Sequence, residues 1–442
     1  MTQNSDTSPP QIEGLIESGR VHKKIYTDGK IFDLEMERVF GRAWIYVGHE
    51  SQIPNKGDFY TTKIAKEPVI MVRHTDETIK VLYNRCAHKG TQITTQTSGS
   101  VRAFRCIYHA WSFETDGKFK TRPLANAYDD KCPASINPEN DMKQVACVEV
   151  YRGFIFSRLC NEGQDLSTWL GETKTSIDNL VDRSPQGELE VVGEPLRYLN
   201  NCNWKMMIEN VSDALHALPT HKSASEPAAE MVKEFTDTNE QPIALNMLIP
   251  FGNPLSFFDE IGQTICGNGH SYSGGTVSIH SAYPEVPEYL QAMNKTYGAK
   301  RAEEILSVER HNTVIYPSIS LKCNLQSIRV FRPISVDETL LETWTFRLKG
   351  APEELLRRTM LYNQTIFSPA SIAGHDDNEA FCRMQQGLKS GGLEWVNINR
   401  HMGVENLNGD GTKSAPGTSD MVFRHEFDAW KNYMSDSGGS IS

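Results

Sequence analysis

Nine cysteines in 442 residues are too few and too scattered for a disulfide framework. Cys132, Cys147, Cys160, Cys202, Cys266, Cys323 and Cys382 keep no common spacing and read mostly as small buried apolar residues. Long hydrophobic runs are missing too: no stretch approaches the roughly 20 apolar residues that cross a bilayer. The start, MTQNSDTSPPQIEG, has no cationic opening followed by an apolar segment. These absences point to a cytoplasmic protein with no membrane partner. Basic residues are in deficit, 45 against 56 acidic ones, and the formal charge of −11 argues against a nucleic-acid partner. No glycine-rich nucleotide fingerprint lies between a strand and a helix, and no repeat or internal low-complexity segment is present. With 38% hydrophobic content at this length, two or three compact units are expected.

What the chain does have is an unusual pairing of cysteine with histidine. Cys86 and His88 form C-x-H, seventeen residues follow, and Cys106 and His109 form C-x-x-H. A Rieske [2Fe–2S] cluster needs this mixture, because two thiolates hold one iron and two imidazoles the other. Zinc also takes two cysteines and two histidines, but usually as a cysteine pair followed by a histidine pair. Here each half-site carries one of each. The flanks, NRCAHKG from Asn84 and FRCIYHAW from Phe104, favour the cluster: Gly90 allows a tight turn and Trp111 a shield from water.

The texture along the chain places these half-sites. IFDLEMERVF has apolar residues at helical spacing. From Ala43, short β-rich runs (AWIYVG, DFYTTKI, PVIMVRH, IKVLYN) alternate with turn residues, and TDGKF puts an Asp-Gly pair at a hairpin reversal. VACVEVYRGFIFSRL closes this β-rich unit near residue 160. We therefore expect a helical segment over 1–40, a β domain over 41–160 and an α+β domain over 161–442. In the last, DLSTWLGETKTSIDNLV reads as an amphipathic helix, ELEVVGEPLRYL as strand, and VPEYLQAMNKTYGAKRAEEILSVERH as a long helical hairpin or a broken helix. SIRVFRPIS and LLETWTFRLK read as strands about a turn at Asp337, with a long helix from about Glu353.

A second constellation lies in NWKMMIENVSDALHALPTH. Asn210, Asp213 and His216, spaced i, i+3, i+6, are expected to form one stripe of a helix. Pro219 does not fit a regular helix, so the chain is expected to turn at Leu218-Pro219 and swing His221 back toward His216. Two imidazoles converging in this way begin a two-histidine, one-carboxylate iron site. The third ligand is expected from FSPASIAGHDDNEAF, at the end of the helix beginning near Glu353: Asp377, with Asp376 as the alternative.

Taken together, C-x-H-x17-C-x2-H, E-N-x2-D-x2-H-x4-H and a later DD-containing helix resemble the large α subunits of Rieske non-haem iron ring-hydroxylating oxygenases over nearly the whole chain. The resemblance implies an α+β fold in which a β-rich Rieske domain is inserted into a catalytic domain with a central antiparallel sheet flanked by helices. It implies a [2Fe–2S] cluster on Cys86, His88, Cys106 and His109, and mononuclear Fe(II) on His216, His221 and Asp377. Electrons would come from NAD(P)H through a separate reductase or ferredoxin, and O2 would be used to hydroxylate an aromatic substrate once or twice. Trimers, α3 or α3β3 with a small β subunit, are implied, with the cluster of one copy serving the iron of the next. Asp213 would then accept hydrogen bonds from His216 and from His109 of the partner subunit. Oxidative N- or O-demethylation is the alternative chemistry, and a non-catalytic electron carrier the third. Lys89, Ala110 and Leu215 depart from the commonest family residues without removing a ligand.

Pocket candidates are Met207, Ile208, Asn210, Ala217, Asn312, Phe367 and Ala373, each close to a ligand in sequence or on an element that the resemblance sends toward one. Arg310 is a further candidate, as a bidentate clamp for a substrate carboxylate.

Overall fold

The computed structural model describes residues 11–128, 138–235, 241–275, 278–279 and 286–435; Cys132 lies outside them. The chain forms two compact units: Phe40–Ser167, and a unit discontinuous in sequence made of Met1–Val39 with Thr168–Ser442.

The inserted unit is built from three small antiparallel sheets. The four-stranded one pairs Asp58–Ile64 with Glu67–Arg73, and the latter with Ile79–Tyr83, so that Phe59, Ile70, Val72 and Leu82 point into one apolar core. Ser112–Phe113 and Phe119–Thr121 pair across the Asp-Gly reversal. Cys147–Tyr151 and Phe154–Arg158 form the closing hairpin and add Ile45–His49. The unit runs past residue 160 because the carbonyl of Gln164 accepts the Trp44 indole N–H at 3.1 Å and an Arg158 N–H at 2.7 Å.

The larger unit is organised on a ten-stranded antiparallel sheet. Its longest hairpin pairs Ser327–Ser335 with Glu338–Leu348, and ELEVVGEPLRYL splits into Leu189–Val191 and Leu196–Asn200, both on the latter strand. The expected break falls at Gly298, between the helices Pro287–Tyr297 and Ala299–Leu306. Three helices distant in sequence meet at Glu35, which is fully buried. Its carboxylate accepts from Trp204 Nε1 (2.9 Å), Trp430 Nε1 (2.7 Å) and Lys205 Nζ (2.5 Å). A buried carboxylate needs such a full set of donors, and this one ties Gly29–Arg38 to Trp204–Ser212 and Met421–Met434. No helix among the described residues is long and apolar enough to cross a membrane.

Candidate functional site

In the inserted unit the two Cys-His segments form matching loops. The Gly90 N–H closes on the Cys86 carbonyl at 3.0 Å, and the Ala110 N–H closes on the Cys106 carbonyl at 3.0 Å. Both closing residues have positive φ, +75° at Gly90 and +56° at Ala110, so the second loop holds an alanine where glycine is favoured. The Asn84 side chain fastens the first loop, accepting from Ile93 N and Thr94 N and donating to the Thr94 carbonyl.

Both cysteines are buried with Trp111, Phe104 and Phe59 and hydrogen-bond each other. Burial raises the Cys86 thiol. Burial acts the same way on Cys106, yet backbone N–H groups of Tyr108 and His109 outweigh it and lower that thiol. The His88 and His109 rings lie 4.7 Å apart, His88 stacks on Trp111 at 4.8 Å, and His88 Nδ1 is buried with no hydrogen-bond partner. Paired thiols with N–H donors aimed at sulfur, beside paired imidazoles with an orphaned nitrogen, fit a [2Fe–2S] cluster held at both ends. Ile107 and Tyr108, at the loop tip beside His109, are 87% and 65% exposed.

In the larger unit, His216, His221 and Asp377 offer ligand atoms within 4.8 Å of one another. Asp377 Oδ1 stands 3.6 Å from His216 Nε2 and 3.5 Å from His221 Nε2. Such separations are too long for hydrogen bonds and suit three atoms that each approach one ion at about 2 Å. The donor set is that of a non-haem ferrous site. Burial lowers the His221 pKa, keeping its imidazole neutral as a ligand must be. Asp376 lies one shell out, accepting from Ser223 Oγ at 2.7 Å and standing 3.6 Å from His221 Nδ1.

The route to this convergence differs from the expectation in three places. The helix Trp204–Ser212 stops before Asp213, whose backbone is extended (φ −88°, ψ 111°), so Asn210, Asp213 and His216 share no helical stripe. The cause is local: Asp213 Oδ1 accepts the Leu215 N–H at 2.9 Å, an Asx turn that competes with the helix. Pro219 does not mark a turn; it sits inside the short helix Ala217–Thr220, near its start, where its missing N–H has no helical partner anyway. Asp376 and Asp377 do not end the helix from Glu353. That helix stops at Tyr362, a π turn covers Asn363–Phe367, Ser368 before Pro369 is extended, and both aspartates open a new helix, Gly374–Leu388. Acids in a first turn are favoured by the helix dipole.

Asp213 also differs in its contacts. The His216 Nδ1 partner is the Asp213 backbone oxygen (2.6 Å), while the carboxylate takes the Leu215 N–H and lies 3.3 Å from Arg400, which also reaches Asp420 at 2.7 Å. Arg310 lies on a strand, Glu309–Ile315, not at a helix end. Its guanidinium stacks 3.4 Å from the Tyr272 ring centroid and donates to Thr175 and Ser176, so it is no clamp at the iron donors. The pKa of the adjacent His311 is pulled well down by burial, by Lys322 and by His216.

Asn210, Asp213, His216 and Asp377 line a cavity of about 500 Å³ together with Tyr26, Met206 and Glu209. Asn210 Nδ2 donates to Asp377 Oδ1 at 3.2 Å. Met207 and Ile208 are packed away completely, and Asn312 donates to the Val211 carbonyl at 2.9 Å. Ala217, Phe367 and Ala373 join a buried apolar cluster with Phe251 and Ile366, and Phe251 packs against the His221 ring at 4.8 Å. Glu209, not singled out from the sequence although it opens the E-N-x2-D motif, accepts the Tyr26 hydroxyl at 2.9 Å, and burial pushes it up to about 8. Only its three-dimensional surroundings make it unusual.

Comparison with known proteins matches the Rieske [2Fe-2S] domain over residues 43–148 and the ring hydroxylating alpha subunit (catalytic domain) over 168–405. The chain is 31% identical over 404 residues to toluate 1,2-dioxygenase subunit alpha of Pseudomonas putida, covering 89% of this chain and 86% of that protein. It is 29% identical to biphenyl dioxygenase subunit alpha of Metapseudomonas furukawaii, covering 97% and 94%. The solved structure of naphthalene 1,2-dioxygenase with indole bound in the active site superposes with a TM-score of 0.79 at 24% identity, covering 97% of this chain and 95% of that one. The chain belongs to the ring-hydroxylating oxygenase alpha subunits, oxidoreductases that carry a Rieske cluster and a non-haem iron and receive their electrons from a reductase.

Proposed function

We propose that this subunit hydroxylates the ring of an aromatic substrate with O2, as a dioxygenase or monohydroxylase, and that an aromatic carboxylate is the preferred substrate class. One observation carries the reading: His216, His221 and Asp377 converge on one point in a chain that also holds the Cys86, His88, Cys106, His109 set. The similarity to a toluate dioxygenase supports the carboxylate. When bound, the cluster supplies single electrons and the ferrous ion supplies dioxygen chemistry.

The chain's own residues provide the geometry. Cys86, Cys106, His88 and His109 would hold the cluster, through two thiolates and two imidazoles. His216 and His221 with Asp377 would hold the ferrous ion. The Asp213 carbonyl fixes the His216 tautomer by accepting a hydrogen bond from its Nδ1–H, which leaves Nε2 free to ligate. Asn210 orients Asp377. The exposed Ile107, Tyr108 and His109 suit docking on another copy, where Asp213 accepts a hydrogen bond from His109 of the partner subunit. We place the assembly, α3 or α3β3, in the cytoplasm, fed from NAD(P)H by a separate reductase or ferredoxin.

The test is turnover of an aromatic panel by purified protein with a surrogate reductase under labelled dioxygen. Two labelled hydroxyls on one ring establish dihydroxylation and one establishes monohydroxylation. Formaldehyde release establishes demethylation instead, and reduction of the cluster without substrate-dependent oxygen uptake leaves only an electron carrier.

A further inference from the structure

The strand Ser327–Ser335 is largely apolar at its centre, yet carries Arg329, which is only 6% exposed. A guanidinium does not lose its proton in a protein, so this is a permanent buried cation, and burying a charge without a counter-charge is strongly unfavourable. Its neighbour along the strand is paired. Arg332, three residues along the same strand, stands 2.7 Å from Glu342. Among the described residues no carboxylate pairs with Arg329, and its Nε is buried without a hydrogen-bond partner.

Its neighbours locate it. The guanidinium lies 4.6 Å from the Phe367 ring centroid, and Lys322 Nζ lies 5.5 Å from the same centroid. The Tyr198 hydroxyl, within hydrogen-bonding reach of Arg329, also feels Asp377. Lys322 Nζ stands 3.5 Å from the carbonyl of His311, and His311 feels His216. A permanent cation and a buried amine, which burial and Arg329 hold well below the usual lysine range, therefore flank one aromatic ring, and that ring shares an apolar cluster with Phe251, which packs on the iron donor His221 at 4.8 Å.

We propose that Arg329, with Lys322 beside it, receives the carboxylate of the aromatic substrate and thereby sets which ring carbons face the iron. A guanidinium fork matches a carboxylate by two charge-assisted hydrogen bonds, and Phe367 supplies a face for the substrate ring. This inference rests on the reading of the site as a ring-hydroxylating iron centre. It replaces Arg310 as the acid-binding residue. The competing role for Arg329 is a positioning one, holding Tyr198 and Asp377 in place.

The test is calorimetric titration of the iron-loaded protein with benzoate and with its neutral analogue benzamide, alongside turnover of benzoate and toluene. Wild type is expected to bind benzoate more tightly than benzamide. Arg329→Gln is expected to lose about ten- to a hundredfold in benzoate affinity, the range for removing a charged hydrogen-bond partner, with benzamide binding and iron content retained. Lys322→Met is expected to show a smaller loss of the same selectivity. Equal affinity for benzoate in wild type and Arg329→Gln overturns the proposal, as does parallel loss of both ligands together with iron, which marks a positioning role. Should Arg329→Gln fail to fold, Arg329→Lys decides, because it keeps the charge without the fork and must still weaken benzoate. Toluene oxygenation with no benzoate binding sinks the receptor and leaves the ring-hydroxylation reading standing; Arg329-dependent benzoate binding with no arene oxygenated does the reverse.

Discussion

His216 Nδ1 lies 2.6 Å from the backbone oxygen of Asp213, not from its carboxylate. The orientation of His216 therefore depends on where the helix ends rather than on the charge of Asp213. Asp213→Asn keeps an acceptor for the Leu215 N–H and leaves that backbone contact intact. It is expected to retain mononuclear iron within about twofold, while electron delivery from the reduced cluster slows by about tenfold or more. Iron analysis and stopped-flow bleaching of the reduced cluster check this. Loss of iron from the variant would show that the carboxylate itself holds the ligand.

Adjacent aspartates are expected to behave differently. Asp377 faces both imidazoles, while Asp376 touches only the back of His221 and Ser223. Asp377→Asn should reduce iron from about three per chain to about two, the cluster remaining. Asp376→Asn should keep the third iron with about 10- to 100-fold weaker affinity. Metal analysis with the Rieske electron paramagnetic resonance signal as internal reference separates the two, and equal behaviour contradicts the assignment.

Glu35 is the junction of three helices, and removing it strands Lys205 in a dry interior together with two indole N–H groups. Burial already lowers the Lys205 pKa. Glu35→Ala is expected to cost about 3–5 kcal/mol, the scale for breaking a buried ion pair on one side. Urea unfolding of the catalytic unit measures it, and a change under about 1 kcal/mol contradicts the role.

Glu209 links stability to pH. Burial pushes its carboxyl from 4.5 to about 8 in the folded chain, so between those values the native state keeps a proton that the unfolded state releases. Stability from this group is complete below pH 4.5 and is lost as pH rises through about 8. Glu209→Gln should flatten the decline across that window. Unfolding midpoints at a series of pH values test it, and an unchanged slope argues against a protonated Glu209.

The β-rich unit was legible because its signals are local. Period-two alternation marked its strands, the Asp-Gly pair marked its hairpin, and the four cluster residues lie on two loops at strand ends. The iron donors were legible as residue types only. Helical spacing placed Asp213 and His216 on one stripe, whereas the Asp213 side chain ends the helix by capturing the Leu215 N–H. That competition between side chain and backbone is invisible to periodicity. Arg310 and Arg329 show the same limit. Both are arginines on strands of one sheet, and only packing places one on Tyr272 and the other on Phe367.

The order of cysteines and histidines determined by itself which metals this chain is built to hold, because ligand chemistry depends on residue type and short spacing. Which carboxylate stands against both imidazoles, which arginine packs on Phe367 and which glutamate burial pushes toward its protonated form were decided by tertiary structure. Those properties follow from burial and from distances of a few ångströms between residues far apart along the chain, and sidedness on a ten-stranded sheet is set only when the sheet is assembled.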